Sequence, residues 1–63
     1  MIEVTRLKGK KILINAELIE LVEETPDTVI TLTSGRKYIV GESADDVRNA
    51  VIEYKRNIHS PIV

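Results

Sequence analysis

The sequence predicts a small α+β domain, in which a bent antiparallel β-meander of about five strands precedes one C-terminal amphipathic helix. Short runs rich in β-branched residues favour pleated strands, and Gly or Pro separates these runs at turn positions. The longest run, residues 28–41, has the pattern of a β-hairpin. Only the segment after Ser43 has the apolar spacing of a long helix.

The first two strands are predicted from alternation of apolar and polar residues. Residues 2–7 alternate, residues 8–9 carry a turn signal, and residues 11–15 return as the partner strand. A two-residue turn would place Val4 opposite Leu13. Apolar side chains would then lie on both faces of this first hairpin.

The third strand is the most ambiguous element. Residues 15–18 can form one helical turn capped by Asn15, whereas residues 19–24 fit either a strand or a short helical face. The turn signal around Pro26 favours a strand, because so compact a turn most simply joins two antiparallel strands. We therefore expect residues 19–24 to be extended.

Strands four and five form the central hairpin, closed at residues 34–35. A two-residue loop sets Ile30 opposite Ile39, whereas a three-residue loop shifts each partner by one, and both registers stay open. Either register leaves apolar residues on both sheet faces, although an antiparallel sheet covered on one side normally has a polar outer face. The uncovered residues must meet another layer of the chain or another molecule.

The helix is predicted to begin after Ser43, which is a good N-cap, with Asp46 completing an arrangement that resembles a capping box. We divide the chain into one domain, residues 1–58, and a tail, residues 59–63. The stripe of the helix that is expected to be buried comprises Val47, Ala50, Val51, Tyr54 and Ile58. The predicted core comprises Val4, Ile12, Ile14, Ile19, Leu21, Ile30, Leu32, Ile39, Val47, Val51 and Tyr54.

Length and composition limit the classes of protein. A chain of 63 residues forms one domain that buries only about 60% of its unfolded surface, and small domains often compensate by self-association. The chain has no cysteine, so disulfides and thiolate metal sites are excluded. Neither a signal peptide nor a membrane span is expected, and a cytoplasmic protein that forms a homo-oligomer is the natural interpretation.

The sequence contains few residues suited to act as a nucleophile or as an acid–base pair, and we expect neither an enzyme nor a cofactor. His59 is the single histidine, and it lies near the C-terminus, where little packing would orient it. On a strand, Glu20 and Glu24 face away from Glu23, so these carboxylates do not converge on a metal ion. They are better explained as a solvated acidic edge that discourages strand aggregation.

Two basic clusters lie at the hairpin tips, and in a simple meander the tips are at opposite ends of the sheet. A continuous nucleic-acid groove is therefore not expected, and the net charge of −1 also argues against one. Tyr38 is either a cross-strand packing residue or the anchor of an interface. The candidate interaction surface comprises Arg6, Lys8, Lys10, Lys11, Val29, Arg36, Lys37, Tyr38 and Val40.

Four collinear stretches carry a family resemblance: MIEVTRL with GKK, INAELIE, TPDTVITL, and GRKYIV followed by Glu42 and Ser43. They resemble the FlbD/SwrD family of small bacterial flagellar proteins, over nearly the whole chain. The resemblance implies a cytoplasmic protein connected with motility, swarming and motor power, without enzymatic activity. The family pattern often has Asn before each hairpin glycine, where this chain has Lys8 and Ser34.

The resulting hypothesis is a non-enzymatic protein that supports swarming motility by protein–protein interaction. Its expected partners are further copies of itself and flagellar motor or export components at the cytoplasmic face, near the membrane without crossing it. The alternative is a small nucleic-acid-associated regulator of motility genes. A steep salt dependence of nucleic-acid binding would distinguish this alternative.

Overall fold

The computed structural model describes residues 1–59 of the chain. The elements follow the predicted order of five strands and a C-terminal helix, so the α+β class is confirmed. The predicted tail, apart from the backbone of His59, lies outside the described residues. The elements are β1 (Ile2–Thr5), β2 (Lys11–Ile14), a 3-10 turn (Ala16–Leu18), β3 (Ile19–Glu24), β4 (Thr28–Leu32), β5 (Lys37–Val40) and α1 (Ala44–His59).

The strands form a hairpin, β1–β2, and a three-stranded antiparallel sheet, β3–β4–β5. The two are joined between β1 and β5, where Arg6 bridges to Val40 and the N–H of Gly41 donates to the C=O of Thr5 at 2.8 Å. The order of neighbours is therefore β2, β1, β5, β4, β3. Because the end of β1 bonds to β5, the expectation that the two hairpin tips lie at opposite ends is wrong.

The first hairpin has a three-residue loop, not the expected two-residue turn. The N–H of Gly9 donates to the C=O of Arg6 at 2.7 Å, and Gly9 has a φ of +96°. A glycine in this conformation adds one residue to the loop, as in a type I turn followed by a G1 bulge. The pairing shifts by one, so Val4 lies opposite Ile12 and Leu13 turns outward.

The central hairpin has the same loop, so the three-residue alternative is confirmed. The N–H of Gly35 donates to the C=O of Leu32 at 2.8 Å, and the φ of Gly35 is +91°. Ile30 therefore lies opposite Tyr38. The neighbouring Ile39 points to the other face, where it is 46% exposed.

The core lies between the sheet and α1, and two residues were wrongly predicted to belong to it. Ile39 is outside because of the hairpin register, and Leu21, 43% exposed, is outside because a β-bulge between Ile19 and Leu21 changes the face on which it lies. Three residues that were not predicted to lie in the core are buried there: Ile2, Ala16 and Val40. The buried apolar residues are Ile2, Val4, Ile14, Ala16, Ile30, Val40 and Val47.

Local signals placed the other elements correctly. Asn15 accepts a hydrogen bond from the N–H of Glu17 at 3.0 Å and caps the 3-10 turn, and residues 19–24 form β3 as predicted. A turn containing a cis Thr25–Pro26 bond leads into β4. Of the helix stripe that was expected to be buried, Val47 is buried, whereas Ile58 at its C-terminal end is 52% exposed.

The start of α1 has the predicted capping box. The Ser43 Oγ accepts from the N–H of Asp46 at 3.0 Å, and Asp46 Oδ2 accepts from the N–H of Ser43 at 3.4 Å. A carboxylate from the end of β3 adds a third contact, because Glu24 Oε1 accepts from the N–H of Ala44 at 2.8 Å. The helix start is thereby attached to the edge of the sheet.

Ser43→Ala is expected to lower the free energy of unfolding by about 1 kcal/mol, because it removes the acceptor for the N–H of Asp46. Urea denaturation followed by circular dichroism would measure the loss. Ser34→Ala is the matched control, since the Ser34 Oγ accepts only a long 3.4 Å bond from Arg36 in an exposed loop. Equal stability of the two variants would contradict this role for Ser43.

Candidate functional site

The join between β1 and β5 brings the loop of the first hairpin beside β5. The N–H of Leu7 donates to the C=O of Ile39 at 3.2 Å, and the Arg6–Val40 bridge lies next to this bond. Side chains that are some 30 residues apart in the sequence, such as Lys8 and Lys37, therefore line one concavity. The concavity thus brings Lys37 of the second basic cluster beside three members of the first cluster, Arg6, Lys8 and Lys10.

This basic concavity has a volume of about 500 Å³. Four cationic and two apolar side chains line it, and both apolar side chains are exposed, Leu7 at 58% and Ile39 at 46%. No carboxylate lines it, so the four cations have no internal counter-charge within the concavity. The arrangement suits a ligand that carries negative charges around an apolar group. The lining residues are Arg6, Leu7, Lys8, Lys10, Lys37 and Ile39.

Tyr38 lies next to the concavity and contacts both arginines of the hairpin tips. The guanidinium carbon of Arg6 is 5.8 Å from the ring centroid, within the range of a cation–π interaction. Arg36 Nη1 donates a long bond of 3.5 Å to the Tyr38 hydroxyl. The ring is half-buried and packs against the core, so both cations lie beside a side chain that the core positions.

The remaining candidate residues lie outside the concavity. Val40 is buried in the core, and Val29 is half-buried opposite Ile39 on the outer face of the sheet. Lys11 is exposed at the start of β2. Arg36 stands at the end of the second loop and contacts Tyr38. Leu7 was not predicted as a site residue, and Ile39 was predicted to lie in the core because the hairpin register was open, yet both line the concavity.

The carboxylate of Glu42 stabilises the contact between the end of β1 and the segment that follows β5. Both oxygens of Glu42 accept from the N–H of Thr5 at 2.9 Å. Burial acts to raise the pKa of Glu42, but the hydrogen bond from Thr5 and the positive charge of Lys11 outweigh it, so the pKa lies below its usual value. The ionised carboxylate therefore helps to hold the end of β1 against the segment that follows β5.

Within residues 1–59, no group of three His, Cys, Asp or Glu residues is placed to hold a metal ion. No helix in that range combines the length and apolar character needed to cross a membrane. The side chain of His59 lies outside what the structure describes.

Comparison with known proteins gave one match. The model of the FlbD family, whose description is flagellar and swarming motility proteins, matches residues 1–59. The comparisons with curated proteins and with solved structures gave no match. The family match covers the whole of the described fold, including both hairpins that form the concavity.

Proposed function

Because this chain belongs to the FlbD family of flagellar and swarming motility proteins, we propose that it supports motility as a non-enzymatic binding protein. Its proposed partner is an acidic segment of a flagellar motor or export component at the cytoplasmic face. Support of motor power through this contact would explain a role in swarming. The observation that carries the proposal is the basic concavity, with four cations around Leu7 and Ile39.

The side chains of the concavity suit binding better than catalysis. Its lining contains no carboxylate, histidine or hydroxyl that could accept or supply a proton in a reaction near neutral pH. Burying the apolar pair would contribute about 25 cal/mol for each Å² removed from water. The surrounding cations would guide an acidic partner into position and speed association more than they raise final affinity.

Charge reversal tests the proposal. The double variant Arg6→Glu/Lys37→Glu is expected to lose capture of its flagellar partner from a flagellated cell and to fail to restore swarming in a strain that lacks the protein. Loss of attraction and introduction of like-charge repulsion both act against an acidic partner. Pull-down with identification of the captured protein, together with a swarming assay, would measure the effect.

The matched control is Lys55→Glu/Arg56→Glu, which makes the same change of net charge on the exposed side of α1. Circular dichroism would establish that both double variants fold. We expect the control to keep partner capture and swarming. Equal behaviour of the two folded variants would show that the basic concavity has no special role.

A second candidate function follows from the same join of the hairpin tips. With Arg6, Lys8, Lys10 and Lys37 in one place, the concavity could contact a nucleic-acid backbone, with Tyr38 nearby. For such a regulator, a plot of the logarithm of the binding constant against the logarithm of the salt concentration would fall with a slope of about −0.9 for each phosphate contacted on duplex DNA. A shallow salt dependence with a captured flagellar protein favours the protein partner.

A further inference from the structure

Two strand edges are open in the described part of the chain. Within residues 1–59, β2 pairs only with β1, and β3 pairs only with β4. An open edge presents unpaired N–H and C=O groups to which another strand can add. The two edges differ in charge, because β2 carries Lys11 and no carboxylate, whereas β3 carries Glu20, Glu23 and Glu24 and no cation.

We propose that copies of this chain associate head to tail, with the β2 edge of one copy added to the β3 edge of the next. Pairing β3 with β3 would bring carboxylates together, whereas pairing β2 with β2 would leave Lys11 with no carboxylate of the other strand opposite it. Pairing β2 with β3 joins opposite charges. Because the two surfaces differ, such an interface produces a closed ring or an open filament. The basic concavity takes no part in this interface.

The hydrogen bonds of the first hairpin determine which residues of β2 can bind a new strand. The N–H of Arg6 donates to the C=O of Lys10 at 2.7 Å, so the backbone of Lys10 faces β1. Facing and outward residues alternate along an antiparallel strand. The backbone groups of Lys11 and Leu13 therefore point outward, to the open edge.

The same alternation identifies the outward residues of β3. The N–H of Leu32 donates to the C=O of Arg36 at 2.8 Å, so Leu32 and, two residues away, Ile30 face β5. Val22 lies opposite Ile30, and its own backbone groups must then point away from β4. The same holds for Glu24, two residues along β3.

One antiparallel register matches these outward residues in chemistry. It sets Leu13 opposite Val22 of the next copy, and it sets Lys11 opposite Glu24 of that copy. A shift of two residues in one direction places Lys11 opposite Val22, and a shift in the other places Leu13 opposite Glu24. Either shift sets an apolar side chain against a charged one, so the first register is favoured.

A groove beside β3 provides room for the apolar contact. The groove has a volume of about 400 Å³ and lies between β3 and α1, where Val22, Val51 and Ile52 are among its lining residues. Leu13 is 66% exposed in the single chain. In the proposed register its side chain lies beside Val22 of the next copy and enters this groove, which removes both apolar surfaces from water.

Disulfide formation between copies tests the register, and the chain contains no cysteine of its own. Leu13→Cys protein is mixed with Val22→Cys protein under mild oxidation. Hydrogen-bonded residues opposite each other have Cα atoms about 5.5 Å apart, which suits a disulfide. The control mixes Leu13→Cys with Leu21→Cys, whose exposed side chain lies on the other face of β3.

We expect severalfold more disulfide-linked dimer from the 13–22 mixture than from the 13–21 mixture. Equal yields, a preference for position 21, or efficient linkage of Leu13→Cys to itself would overturn the proposed interface. Light scattering at micromolar concentration independently measures the mass of the assembly in solution. Leu13→Asp should reduce the mass to that of one chain, while Ile58→Asp, the same kind of change at an exposed apolar residue of α1, should keep the multimer. A wild-type mass of one chain would also overturn the inference.

Discussion

Ile30→Ala is expected to lower the free energy of unfolding by about 2–5 kcal/mol, the range for removing a buried isoleucine side chain beyond Cβ. Ile30 is 0% exposed and lies at the middle of β4, between Val22 and Tyr38 of the neighbouring strands. The substitution removes apolar contacts and leaves a cavity that the sheet cannot fully close. At about 0.05–0.15 kcal/mol per residue, a chain of this length has little stability to lose.

Urea denaturation followed by circular dichroism would measure this loss, at one fixed protein concentration because self-association would add to stability. The control is Ile39→Ala, the same chemical change in the next strand. Ile39 is 46% exposed, so its loss should be well below that of Ile30. If the two variants lost equal stability, the three-residue loop and the register that it sets would be in error.

Gly35→Ala is expected to lower the free energy of unfolding by about 1–2 kcal/mol through backbone conformation alone. Gly35 has a φ of +91°, a value that residues with a Cβ rarely adopt. An added Cβ would meet no atom within 4 Å, so no side-chain clash contributes. Thermal denaturation of the variant would report the cost of this strained conformation.

Gly41→Ala separates that cost from a general effect of losing glycine. Gly41 lacks the positive φ of the loop glycines, and an added Cβ there would lie 3.8 Å from the carbonyl oxygen of Thr5, an ordinary contact. Its replacement should be neutral or stabilise by about 0.4–1 kcal/mol, because alanine restricts the unfolded chain. A similar loss from both variants would argue against the left-handed conformation at Gly35.

The concavity and the proposed head-to-tail interface depend on the same two loops. If Gly35 did not extend its loop by one residue, Ile39 would exchange faces with its neighbours in β5. Likewise, the loop at Gly9 sets Leu13 outward and leaves Val4 and Ile12 facing the core. A single left-handed residue in each hairpin therefore decides which apolar side chains are available to partners.

The amino-acid sequence by itself determined the strands, the capped helix, most of the core and the family resemblance. These depend on local chemistry, such as the β-branched run of β4, the Ser43–Asp46 cap and the spacing of the stripe that begins at Val47. Neighbouring residues suffice for such features, because backbone preference and the first turn of a helix involve only a few positions.

Only the tertiary structure decided the two registers and the contact between β1 and β5. Two- and three-residue loops both accept a Gly at their end, and a change of one residue reverses every side chain, as at Ile39. The Arg6–Val40 bridge joins positions distant in sequence, and no local pattern reports such a bond. The basic concavity exists because of that long-range pairing, which is why separate basic tips in the sequence become one surface in the fold.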